Sequence, residues 1–207
     1  MKVKICGIKD ITTALSAIES GADALGFVFA ESKRKIDPET AGEIIRQLPA
    51  DILKVGVFVN ETKEKIEKIA EVSGINTIQL HGDEPTEFCS SFSIPVIKAL
   101  SVSSAEDLFR MDEYSCDFFL LDSPKGKYRG GNGISFDWSV LADSQFLDKK
   151  IILAGGLNPE NVAEGIKAAN PYMVDVSSGV ETEGKKDLGK IKRFIEKAKS
   201  TEKEEVK

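Results

Sequence analysis

Five side chains in this sequence are best suited to chemistry: Cys6, Arg34, His81, Asp122 and Asp175. A cysteine thiolate is a competent base and a carboxylic acid a competent proton donor, so Cys6 and Asp122 could move protons on opposite sides of one substrate. Their plainer readings are a small buried hydrophobe for Cys6 and a turn or cap residue before Ser123-Pro124 for Asp122. Arg34 lies in the charged run Glu31-Ser32-Lys33-Arg34-Lys35. Its guanidinium fork matches a carboxylate, although such a run is otherwise a solvated loop. His81 is the only histidine. Asp175 could reach sugar hydroxyls or satisfy buried donors.

These residues gain meaning from the elements that position them. Short apolar, β-branched runs at 3–6, 24–29, 54–59, 77–80, 96–99, 118–121, 151–154 and 173–176 read as strands apolar on both faces. Helical-period segments fall between them at 11–20, 38–48, 62–72, 104–110, 136–142, 159–168 and 188–199, with a shorter one at 84–89. Asp37-Pro38 and Asn158-Pro159 look like helix starts. Eight strands, each followed by a helix, predict a single α/β domain of the (β/α)8 barrel type over residues 1–199, with 200–207 as a charged tail. A doubly wound sheet is the structural alternative, but it would leave βα units over.

A barrel of this kind places its site at the C-terminal ends of the strands. There the sequence shows Cys6-Gly7, Ser32-Lys33-Arg34, Asn60, His81-Gly82, Lys98, Asp122, Gly155-Gly156 and Ser177-Ser178-Gly179. The glycines follow strands 7 and 8, where such barrels often hold a phosphate. Glycine lets the backbone approach an anion and turn its N–H groups inward. Gly155, Gly156, Ser178 and Gly179 are therefore the expected phosphate ligands. Gly130-Gly131-Asn132-Gly133, preceded by Lys125, Lys127, Tyr128 and Arg129, reads equally as a loop that closes over a ligand or as plain surface.

Composition narrows the function. Among 207 residues, 28 Lys+Arg against 34 Asp+Glu leave a net charge of −6, which argues against a general nucleic-acid binder. No apolar run approaches the roughly 18 residues needed to span a membrane. The start of the chain lacks a secretory h-region. Cys6, Cys89 and Cys116 are odd in number and match neither a disulfide framework nor a zinc spacing. A cytoplasmic protein with reduced thiols is expected.

The chain resembles the phosphoribosylanthranilate isomerase family of tryptophan biosynthesis. The likeness rests on Lys4-Ile5-Cys6-Gly7-Ile8, the segment 21–29, Val55-Gly56-Val57-Phe58-Val59-Asn60 and Gln79-Leu80-His81-Gly82. It continues through Leu121-Asp122, the glycine loop with Phe136-Asp137-Trp138, Leu153-Ala154-Gly155-Gly156-Leu157, and the segment 174–181 with Gly184 and Lys186-Asp187. The resemblance implies an Amadori rearrangement without a cofactor. It implies Cys6 as general base, Asp122 as general acid and Arg34 near the anthranilate carboxylate. His81 and Asp175 become expected substrate contacts. As a base, Cys6 would need a lowered pKa, while the acid must keep its proton. Two departures exist: Ser32-Lys33-Arg34 where the family often has Ser-Pro-Arg, and Asn132 where it often has Thr or Ser. The related histidine-pathway isomerase carries an aspartate at the position of Cys6, which speaks against it. A non-catalytic binding barrel would need the phosphate loops but neither Cys6 nor Asp122. The expected partner is a phosphorylated small molecule, with no nucleic acid and no membrane, and a homodimer is compatible with the apolar helix faces.

Overall fold

The computed structural model describes residues 1–123, 138 and 149–204. Eight parallel strands close into a barrel in chain order: β1 (Lys2–Cys6), β2 (Ala24–Val28), β3 (Leu53–Phe58), β4 (Thr77–Leu80), β5 (Val96–Ser101), β6 (Phe118–Asp122), β7 (Ile151–Leu153) and β8 (Met173–Val176). β8 pairs back onto β1 and completes the ring. Every strand expected from the sequence is present, because runs apolar on both faces can be buried only between an inner and an outer layer.

The outer layer contains α1 (Ile11–Glu19), α2 (Pro38–Ile45), α3 (Lys63–Ser73), α4 (Thr86–Cys89), α5 (Val162–Ala169) and α6 (Leu188–Glu204). Asp10, Asp37 and Thr62 cap the first three helices, each accepting the N–H three residues on. The segment between β5 and β6 is a 3-10 helix, Ala105–Glu113. Its buried residues, Leu108 and Met111, are three apart, the spacing that a 3-10 turn stacks.

Several helix boundaries differ from the sequence reading; α2 ends at Ile45 and α4 begins at Thr86, and two further differences have a visible cause. α5 begins at Val162, not at Pro159. Asn158 Oδ1 accepts the N–H groups of Glu160 and Asn161, and Asn161 Oδ1 accepts that of Asn158, so these caps close a turn before the helix starts. α6 runs past residue 199 to Glu204, with Thr201 buried and its hydroxyl donating to the Lys197 carbonyl. The helix expected at 136–142 (Trp138 apart) and the glycine loop at 130–133 lie outside the described residues.

Side-chain alternation divides the core in two. Val3, Ile5, Phe27, Phe58 and Leu121 point outward and pack under the helices. Each such burial contributes about 1.5–3 kcal/mol. Inside the barrel sits a smaller cluster that includes Ala24, Val55, Ile97, Leu120, Ile152 and Met173. Cys6, Val28 and Val57 form a separate inward group. The same alternation that turns Leu120 inward turns Asp122 inward, at the C-terminal end of its strand. All three cysteines are free. Folding brings the Cys89 and Cys116 thiols into hydrogen-bond contact, which their sequence separation concealed.

Candidate active site

A cavity of about 680 Å³ opens at the C-terminal ends of the strands. Cys6, Arg34, His81, Asp122, Asp175, Gly155, Gly156 and Ser178 all line it. Of the expected site residues, only Gly179 is absent from its wall. A Cβ on Gly179 would stand 1.9 Å from the Leu157 carbonyl oxygen, so this glycine lets the loops after β7 and β8 close on each other. Gly155 and Gly156 both have positive φ, 80° and 68°, a conformation that glycine adopts without strain.

Cys6 stands above a buried ion pair. Lys4 lies two residues back on the same face of β1 and is fully buried. The β1–β8 register sets Lys4 beside Asp175, and its Nζ is 2.8 Å from Asp175 Oδ1. Lys4 also lies close enough to the Cys6 thiol to favour its anion. Burial works against the lysine's charge, but Asp175 and Cys6 more than offset it and hold the pKa above its ordinary value. For Cys6 the balance falls the other way. Burial pushes the thiol up, against the pull of Lys4 and Lys186. The lowered thiol expected of a ready base is therefore not what the site provides, because desolvation outweighs the nearby cations.

Asp122 is buried at the end of β6, and its Oδ1 accepts the Ser123 N–H at 2.9 Å. His81 Nε2 lies 3.4 Å from Asp122 Oδ2. β1 and β6 are not neighbours in the barrel, so Cys6 and Asp122 meet the same cavity from different sides of its mouth.

Arg34 is held, not solvated. Its Nε and Nη2 donate to the two carboxylate oxygens of Glu181 at 2.7 and 2.9 Å. Glu181 begins β9 (Glu181–Thr182), which forms a hairpin with β10 (Lys185–Lys186). Lys186 Nζ donates to Glu181 at 2.9 Å and to the Ser177 carbonyl at 2.8 Å. Burial alone would raise the Glu181 carboxyl, but hydrogen bonds from Arg34 and Lys186 hold it below its ordinary range. Room for the Arg34 stem comes from Gly7, where φ is +85° and a Cβ would lie 2.7 Å from Arg34 Cδ.

Lys98 does not reach the barrel mouth. It points outward, buried, with Nζ 2.6 Å from Glu84 Oε2 and 2.8 Å from the Gly82 carbonyl. Glu84 also accepts the N–H groups of Asn60 and Gly82. Asn60 and Lys98 thus brace the turn after His81 instead of touching a ligand. Residues missed at the sequence level are Lys4, Gln79 and Glu84. Counting back by two from Cys6 and His81 would have found the first two, since residues two apart share a strand face. Among the described residues, no group of three or more His, Cys, Asp or Glu could hold a metal ion, and no helix is long and apolar enough to cross a membrane.

Residues 3–197 match the family described as N-(5′-phosphoribosyl)anthranilate (PRA) isomerase. The chain belongs to this isomerase family. The matched span includes every site residue named above. An N-(5′-phosphoribosyl)anthranilate isomerase of Bacillus cereus (strain B4264) is 58% identical over 204 residues, covering 98% of this chain and 100% of that one. The phosphoribosyl anthranilate isomerase of Thermotoga maritima is 46% identical, with a TM-score of 0.88 over 97% of this chain and 99% of its own. The T. maritima enzyme is dimeric. A further isomerase structure, 45% identical with a TM-score of 0.85 over 97% and 99% of the two chains, holds reduced 1-(o-carboxyphenylamino)-1-deoxyribulose 5-phosphate.

Proposed function

We propose that this isomerase converts N-(5′-phosphoribosyl)anthranilate to 1-(o-carboxyphenylamino)-1-deoxyribulose 5-phosphate, with Cys6 as general base and Asp122 as general acid. The observation that supports it best is the meeting of a thiol and a carboxyl, from strands across the ring, in one cavity walled by Gly155, Gly156 and Ser178. The phosphate sits on those backbone N–H groups. Arg34 uses two of its N–H groups on Glu181, and the rest serve the anthranilate carboxylate. Asp175, beside Cys6, faces the ribose hydroxyls.

Asp122 donates its proton to the furanose ring oxygen. The C1′–O bond breaks as the anilino nitrogen lone pair forms the C=N bond of a protonated Schiff base. The Cys6 thiolate takes the proton from C2′, and the C–H electrons return to the nitrogen through a C1′=C2′ double bond. The resulting enolamine becomes the ketone as its hydroxyl loses a proton and C1′ gains one. Nothing is oxidised or reduced overall, so no cofactor enters the balance. The dimeric T. maritima relative supports the homodimer expectation.

The direct test is to add the purified protein to freshly generated phosphoribosylanthranilate and follow the anthranilate-type fluorescence. Rapid conversion is expected. A folded protein that converts only the histidine-pathway aminoimidazole ribonucleotide, run in parallel, or neither substrate, would refute the reading.

Two further outcomes follow from the geometry. Glu181→Gln removes the carboxylate that holds Arg34, so KM should rise about tenfold with kcat nearly unchanged, the sign of lost uniform binding. An unaltered KM in steady-state kinetics would remove Arg34 from the substrate contacts. Burial lifts the Cys6 thiol above its ordinary value of 9.0, so the reactive thiolate grows as pH rises and has not levelled off there. Peptide-resolved iodoacetamide labelling of Cys6 should still climb by about tenfold per pH unit up to that value. A plateau near neutral pH would show that Lys4 and Lys186 outweigh burial.

A further inference from the structure

Gln79 stands two residues before His81 on β4, facing the same cavity, and is 1% exposed. Its amide nitrogen lies 3.0 Å from His81 Nδ1. An amide nitrogen can only donate, so Nδ1 accepts and the neutral ring carries its hydrogen on Nε2. Turning the amide over would set two N–H groups where Gln79 now has one carbonyl oxygen without a partner. Both orientations leave part of the amide unpaired, and the structure sets the nitrogen toward the ring. The ring itself is well placed. The His81 backbone N–H donates to the Phe58 carbonyl at 2.8 Å, and the following turn is tied through Glu84 to Lys98.

We propose that Gln79 is a positioning residue for the proton donor: its amide locks His81 in the Nε2–H tautomer, and that N–H is aimed at the Asp122 carboxyl. The inference rests on Asp122 being the acid, as proposed above. The 3.4 Å separation of His81 Nε2 and Asp122 Oδ2 is long for a hydrogen bond, a contact of the kind that tightens when substrate fills a site. Once Asp122 has delivered its proton, Ser123 N–H on Oδ1 and His81 Nε2–H on Oδ2 receive the negative charge that remains. The opposite tautomer would present a lone pair to Asp122 and draw its proton toward the ring, away from the substrate.

His81 is the only histidine, so isotope-labelled histidine gives two ring nitrogen signals with no overlap. At alkaline pH, where the ring is neutral, a long-range proton–nitrogen correlation spectrum of the wild type should show a protonated Nε2 and a bare Nδ1. In Gln79→Glu the carboxylate accepts from the ring, so the pattern should reverse. Its kcat should fall roughly tenfold or more with KM little changed. Gln79→Met, which brings no charge into the core, should show a mixture of tautomers and a smaller loss of kcat. A wild-type hydrogen on Nδ1, or a variant spectrum identical to the wild type, would overturn the proposal. A reversed pattern with unchanged kcat would overturn its catalytic half. The spectrum needs no turnover, so a failure of Asp122 as acid, seen as full activity of Asp122→Asn, is told apart from a failure of the tautomer lock.

Discussion

Asp122→Asn is expected to cut kcat by about 10²–10⁴-fold, the usual contribution of one proton-transfer group, while the protein stays folded. Asparagine is nearly isosteric with aspartic acid. Its side-chain oxygen can still accept the Ser123 N–H, so the buried end of β6 loses no packing. What it lacks is a proton that can leave. KM should change little, because proton donation develops only in the transition state. Fluorescence-followed turnover and circular dichroism of the same sample check both halves. Turnover near the wild-type rate would remove Asp122 from the mechanism.

Cys6→Ser should cut kcat by at least about a hundredfold with KM again nearly constant. The substitution nearly keeps size and shape at a buried position on the cavity wall. It replaces a thiol with a hydroxyl, a far weaker acid, so almost none exists as the anion that must take the C2′ proton. Burial makes the contrast larger, since desolvation penalises any anion at this place and only the thiol begins near enough to ionise. Cys89→Ser and Cys116→Ser, at residues remote from the cavity wall, serve as controls and should turn over normally. A Cys6→Ser enzyme with ordinary turnover would refute the base. Lys4→Met is a poorer probe. It leaves Asp175 buried without its partner, a change worth about 3–5 kcal/mol, and so mixes stability with chemistry.

Much of this was legible from the sequence. The eight strands could be read because burial on both faces makes each a short, mostly apolar run, broken only by single residues such as Lys4, Gln79, Lys98 and Asp175. That Cys6, His81, Asp122, Gly155 and Gly156 would share one cavity could be read because the strand ends of a barrel meet at one face. Lys98 shows the limit of that rule. It read as a strand end, yet β5 runs on to Ser101 and the Lys98 side chain points outward, a direction that only the register shows. Arg34 shows another. Its anchor, Glu181, is 147 residues away, so the run around Arg34 looked like solvated surface until the fold joined them. Asn158-Pro159 looked like a helix start, but two asparagines hydrogen-bonding each other formed a turn first. The pKa of Cys6 was not legible either, since it depends on how much water the neighbouring strands exclude.

The pairing of β1 with β8 has a consequence for how the protein assembles. Lys4 meets Asp175 across 171 positions of chain, among the most distant contacts the fold can make. Closing so long a loop costs conformational entropy that the pairing of strands adjacent in sequence does not. Until they form, β1 and β8 are open edges, able to pair with another chain. Asp175 reaches Lys4 only when β8 pairs with β1. The ion pair beneath Cys6 and the seam that closes the ring are therefore one place, so the surroundings of the thiol are complete only in the closed barrel.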